Sequence, residues 1–145
     1  MLKLDDEIVS RMKSHGSTTY PEECCGVLLG KSDGPEKIVH EILEIDNSSG
    51  QQRNRRFVIT PERYQEAEAL AARKGLDVLG FYHSHPDHPA RPSQFDLDHA
   101  FPSWSYIIIG VNKGKPEALS SWVLREDRSS FEEEQLSIRK LSRVS

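Results

Sequence analysis

Three short apolar runs, Cys24–Leu29, Leu76–Tyr82 and Trp104–Val111, constrain this chain more than any other feature. Cys24–Leu29 is continuous, as a strand buried on both faces would be, Leu76–Tyr82 predicts a second buried strand, and Trp104–Val111 predicts a third. Lys37–Ile45 alternates and predicts a further strand, after a turn at Ser32-Asp33-Gly34-Pro35. Phe57-Val58-Ile59 predicts another, and so does Ala118–Leu124, with Gly114 in the turn before it. Helix signals lie between them. Thr60-Pro61-Glu62 supplies a cap, a proline at the first position and an acid in the first turn, and Gly75 ends the helix. Leu4, Ile8 and Met12 recur at helical spacing, which predicts an amphipathic helix over Leu2–Lys13, ending before His15-Gly16-Ser17. Phe131–Leu141 fits either element. This order is that of an α/β or α+β layered domain, and the 145 residues fit one domain, 1–145, without repeat or linker.

Charge and cysteine usage exclude several functions. Nineteen basic against 23 acidic residues give a net charge of −4, a poor balance for a general nucleic-acid binder. No apolar stretch approaches the roughly 20 residues of a membrane span. The N-terminal segment carries charges throughout, without the apolar core of a signal peptide. Cys24 and Cys25 are adjacent, and strand neighbours face opposite ways, so a disulfide between them would be strained. These features predict a cytoplasmic protein in a reducing compartment, with no membrane and no nucleic-acid partner. The polar stretch Asn47–Arg56, with Arg53, Arg55 and Arg56, predicts a surface loop and a candidate clamp for an acidic partner.

The stretch from His83 to Asp96 carries chemistry. His83 and His85 stand two apart in a strand, so both point the same way and can grip one metal ion. Three prolines, Pro86, Pro89 and Pro92, then bend the chain back. Ser93 begins a helix as its cap, with Asp96 at the third helical position, where it can supply a third ligand. Two imidazoles and one carboxylate leave a fourth tetrahedral position open, the pattern of a catalytic zinc site; the same set can hold non-haem Fe(II). His88 and His99 are nearby candidates. We read His88 as an exposed loop residue, His99 as second shell or an exposed helical residue, and His15 and His40 as surface residues.

The run His-x-His, seven residues, Ser, two residues, Asp resembles the JAMM, or MPN-plus, metalloprotease motif. The upstream Glu22-Glu23-Cys24-Cys25-Gly26 resembles the family's glutamate before a Cys-Gly and an apolar strand, and Phe57-x-Ile59-x-Pro61 and Leu79-Gly80-Phe81-Tyr82 extend the likeness. The resemblance implies a mixed central sheet flanked by helices, of cytidine-deaminase-like type. It implies Zn2+ held by His83, His85 and Asp96, with Glu23 (not Glu22) as the catalytic glutamate for the zinc-bound water and Ser93 stabilising the oxyanion. It implies hydrolysis of amide bonds after the C-terminal Gly-Gly of a ubiquitin-fold partner. Small stand-alone members look bacterial or archaeal and resemble enzymes that free an amino acid, such as cysteine, from a sulfur-carrier protein. An isopeptidase acting on lysine conjugates and a non-catalytic interaction module are the alternatives. Relatives often form homodimers, and no segment here decides that.

Overall fold

The computed structural model describes residues 1–45 and 60–140. Among the described residues, eight strands form one mixed sheet, and three helices pack around it. In chain order these are β1 (Leu2–Asp5), α1 (Asp6–Thr19), β2 (Cys25–Asp33), β3 (Glu36–Ile45), α2 (Pro61–Arg73), β4 (Asp77–Pro86), α3 (Gln94–His99), β5 (Ser105–Asn112), β6 (Lys115–Leu124), β7 (Phe131–Glu134) and β8 (Leu136–Arg139). The sheet order is β7-β6-β5-β4-β2-β3-β1-β8. The three apolar runs therefore sit in the middle, as β2, β4 and β5, where both faces are covered. Only Gln135 separates β7 from β8, yet they stand at opposite ends of the order, so the sheet rolls until its ends adjoin. Leu2 N–H donates to the Gln135 carbonyl at 2.9 Å across that junction.

The two faces have separate cores. Leu4, Ile8, Met12, Cys24, Leu28, Tyr82, Ile107 and Ile109 form one, beneath α1. Cys25, Val27, Leu29, Ala67, Ala71, Phe81 and Tyr106 form the other, beneath α2. Cys24 and Cys25 thus face opposite ways, and neither is in a disulfide. Burial pushes the Cys24 thiol up to about 12, which leaves it an inert core residue.

The N-terminal expectation needs correction. Leu2–Asp5 is a strand, and the helix runs from Asp6 to Thr19. Leu2 and Leu4 are buried as alternate strand residues, and the Asp5 carboxylate caps the helix by accepting from Ile8 N–H at 2.9 Å. The helix passes through Gly16 because α1 crosses the sheet there at close range. A Cβ at Gly16 would lie 3.1 Å from Val111 and 3.5 Å from Ser84. The ambiguous Phe131–Leu141 resolves into β7 and β8. The expected loop Asn47–Arg56, its three arginines and the strand 57–59 lie outside the described residues. Among the described residues, no helix is long and apolar enough to cross a membrane.

Candidate metal centre

The register of β2 on β4 builds the site. These strands are antiparallel, with Cys25 opposite His83. Two residues back from Cys25, Glu23 comes opposite His85 and shares its face, whereas Glu22 is exposed. β4 continues through the histidines to Pro86, further than the apolar run alone indicates. Asp87 then takes a left-handed conformation, φ 59°, and its carboxylate accepts from Lys113 N–H at 2.7 Å and from the Tyr20 hydroxyl. The proline-rich turn is thereby tied both to the β5–β6 hairpin and to the linker that leads to Glu23.

The turn returns the chain to α3, which Ser93 caps. Ser93 Oγ accepts from Asp96 N–H at 3.1 Å, and Ser93 N–H donates to Asp96 Oδ2 at 2.8 Å. This reciprocal pair aims the Asp96 carboxylate at the histidines. Asp96 Oδ1 lies 3.3 Å from His83 Nε2, and Oδ2 lies 3.2 Å from His85 Nε2. The two Nε2 atoms are 3.0 Å apart. Glu23 completes the group: one of its oxygens and one nitrogen of each histidine all lie within 4.8 Å of one another. Glu23, His83 and His85 are each 1% exposed, and Asp96 9%. A site with so little water must neutralise its charges internally.

His85 tests whether these residues fit a cation. Its Nδ1 lies 2.8 Å from the Pro89 carbonyl, so that nitrogen must carry hydrogen and donate it. In neutral His85 the Nε2 lone pair then points at Asp96 and at the second imidazole. Acceptors facing one another in a buried site need a positive charge between them. Their 3.0–3.3 Å separations match the edge of a tetrahedron, about 3.3 Å for bonds of about 2.0–2.1 Å. The donor set fits a divalent ion with nitrogen and oxygen ligands, as zinc prefers.

The two carboxylates differ in protonation. Burial, and then the charge of Asp96, pushes Glu23 up to about 9. Burial also acts against the Asp96 carboxylate. A positive charge at His83, the contacts with the His83 and His85 rings and the Ser93 N–H outweigh it and hold Asp96 well below the usual range. Burial pushes His83 down, opposed by Asp96.

Other histidines stand differently from expectation. His88 is half-buried and stacks on His85, with ring centroids 4.2 Å apart and 18° between planes, so it supports the site rather than lying exposed. His15 is also half-buried, with Nδ1 2.9 Å from the Tyr82 hydroxyl. His40 is exposed as expected. His99 is exposed and stacks on Phe95. Sequence reasoning gave no role to Ser84, although its place between the two histidines on the opposite strand face was legible. Beside His83 and Asp96 opens a cleft of about 550 Å³, walled by Tyr64, Phe81, Phe95, Phe101, Trp104 and Tyr106.

Comparisons with known proteins agree with this geometry. A family model described as prokaryotic homologs of the JAB domain matches residues 5–125. A desampylase of Haloferax volcanii is 33% identical over 104 residues, covering 71% of this chain and 73% of that protein. A probable TtuB-protein conjugate cleaving protease of Thermus thermophilus is 26% identical over 105 residues, covering 72% of this chain and 67% of that protein. A solution structure from Desulfitobacterium hafniense superposes with a TM-score of 0.85 at 31% identity, covering 97% of this chain and 94% of that one.

Proposed function

The chain belongs to the prokaryotic homologues of the JAB domain, and on that premise we propose that it is a zinc-dependent hydrolase of the amide bond after the C-terminal Gly-Gly of a small ubiquitin-fold protein. The observation that carries this reading is the convergence of His83, His85 and Asp96 on one point, with Glu23 across from them on β2's side. Residues 1–145 act as a single domain of this kind.

His83, His85 and Asp96 would hold the ion. When bound, zinc supplies a Lewis acid for the scissile carbonyl and lowers the pKa of a water to about 7. Glu23 takes a proton from the attacking water and passes it to the leaving nitrogen. The raised pKa belongs to the metal-free site, and a bound cation would favour the ionised carboxylate that takes this proton. The opposite shifts of Glu23 and Asp96 support reading them as groups with different roles, Glu23 as the base and Asp96 as a ligand. Ser93 spends its oxygen on Asp96 N–H, which leaves the hydroxyl hydrogen to donate where negative charge develops on the carbonyl oxygen. The cleft beside the site gives an extended tail a place to lie, and glycines carry no side chain to obstruct it.

Two leaving groups share this chemistry. One is a single amino acid, such as cysteine, attached to a sulfur carrier. The other is a lysine side chain of a conjugated protein, which the name of the Thermus thermophilus relative favours. Buried, reduced thiols at Cys24 and Cys25 support a cytoplasmic setting. Intact-mass analysis of a Gly-Gly carrier extended by one residue, alongside a lysine-linked conjugate, tests the reading. Zinc-dependent loss of either leaving group, abolished by chelator and strongly slowed but measurable in Glu23→Gln, is the expected result. Both substrates unchanged under zinc would favour the non-catalytic module instead.

A further inference from the structure

We propose that Ser84, the residue between the two site histidines, is the positioning residue that fixes Glu23. The inference rests on Glu23 acting as the base. Opposite residues in a hydrogen-bonded antiparallel pair exchange two backbone bonds. Cys24 and Ser84 stand in such a position, one step beyond the Cys25–His83 pair. Ser84 N–H donates to the Cys24 carbonyl at 3.1 Å. The return bond departs from the ladder, because Cys24 N–H donates to the Ser84 hydroxyl oxygen at 2.8 Å. The Cys24 nitrogen belongs to the peptide that joins Glu23 to Cys24. The hydroxyl therefore sets the plane from which the Glu23 side chain hangs. It does so where β2 leaves β4 and where Glu23 must stand off from His83 and His85 to admit water and substrate.

The bond is sealed from solvent. Ser84 is 0% exposed, and Cys24 is 1% exposed. Gly16 of α1 lies directly over them; a Cβ there would fall 3.5 Å from Ser84 Cβ and 3.8 Å from Cys24 Sγ. Water has no room to replace a missing hydroxyl. In Ser84→Ala the Cys24 N–H must lose its acceptor or rotate to the Ser84 carbonyl. Either change turns the Glu23 peptide and shifts its carboxylate. Misplacement of a reacting group by about 1 Å costs on the order of 10²-fold in rate.

The test compares wild type, Ser84→Ala, Ser84→Thr, Glu23→Gln and the Ser84→Ala/Glu23→Gln double variant as full chains. Ser84→Ala is expected to lower kcat on the Gly-Gly substrate by about 10- to 100-fold, with KM and zinc stoichiometry unchanged. Ser84→Thr, which keeps the acceptor, restores kcat. In the Glu23→Gln background Ser84→Ala costs nothing further, as two residues acting through one group should behave. Hydrogen exchange at the Cys24 amide of the metal-free protein rises by about tenfold or more in Ser84→Ala, while the Leu28 amide stays protected. Wild-type kcat in Ser84→Ala, or unaltered Cys24 exchange, overturns the proposal, and so does an equal loss in the Glu23→Gln background. If wild type cuts neither substrate, the hydrolase reading fails by itself. The Cys24 exchange then still decides whether Ser84 holds the Glu23 peptide.

Discussion

Glu23 and Asp96 are carboxylates around one pair of histidines, and they hold protons in opposite ways. Asp96 accepts from Ser93 N–H and lies against both imidazoles, whose positive charge, or that of a cation between them, compensates its own. Glu23 pays the desolvation of its charge and also feels the negative charge of Asp96. A stability prediction follows from the sign. Folding lifts the Glu23 pKa from 4.5 to about 9, so between those values the folded chain binds more protons than the unfolded chain. Stability contributed by this group is fully present below about pH 4.5 and is lost as pH rises toward 9, by at most about 1.4 kcal/mol per pH unit. Urea midpoints of the metal-free protein from pH 5 to 9 should therefore fall more steeply in wild type than in Glu23→Gln. Parallel curves for the two proteins would contradict the assignment. At the acid end Asp96 works the other way: its depressed pKa gives stability that is lost as pH drops below the usual carboxylate range.

At the scale of elements, α3 has two tasks joined in Ser93. The side chain caps the helix and, in the proposed mechanism, also donates to the substrate. Ser93→Ala should cost about 1 kcal/mol of stability and Ser93→Gly only a few tenths, since glycine is a tolerable cap. Both should lower kcat by a similar factor, on the order of 10²-fold. Chemical denaturation and kinetics of the two variants check this; a rate that tracked stability instead would leave Ser93 a cap only. The elements also explain what the sequence made legible. Thr60, Pro61 and Ser93 announce helix starts through local hydrogen bonding, and the structure has α2 and α3 beginning there. The pairing His83-x-His85 and the glutamate before Cys-Gly are local patterns too. β1 was misread because Leu2 and Leu4 join Ile8 and Met12 in a helical stripe. Their strand exists through partners distant in sequence, Lys37–Ile38 and Leu136–Arg139. β8 is ambiguous for the same reason, since its partner is β1, whereas β7 pairs with the neighbouring β6. The stacking of His88 on His85 depends on how a proline-rich turn closes, which no spacing encodes.

Across the whole molecule, the rolled sheet brings three separated segments to one point: the linker before β2, the end of β4 and the start of α3. A polar cluster braces the roll near the far end of β4 and β5. Glu134 accepts from the hydroxyls of Ser105 and Ser121 at 2.7 and 2.9 Å, and Ser105 pairs with Gly80, well before His83 and His85 on β4. Glu134→Ala should lower stability by about 2 kcal/mol, because two buried hydroxyls lose a charged acceptor, while zinc affinity stays unchanged. Denaturation and metal titration on the same sample separate the two effects. The central claim is that this meeting of segments makes a one-metal hydrolytic centre in which Asp96 is a ligand and Glu23 the base. Calorimetric zinc titration of wild type, Glu23→Gln and Asp96→Asn tests it most directly. The account predicts one zinc per chain for wild type and Glu23→Gln, and affinity weakened by at least about 10- to 100-fold in Asp96→Asn. Zinc lost in Glu23→Gln and kept in Asp96→Asn would make Glu23 the ligand and contradict the account.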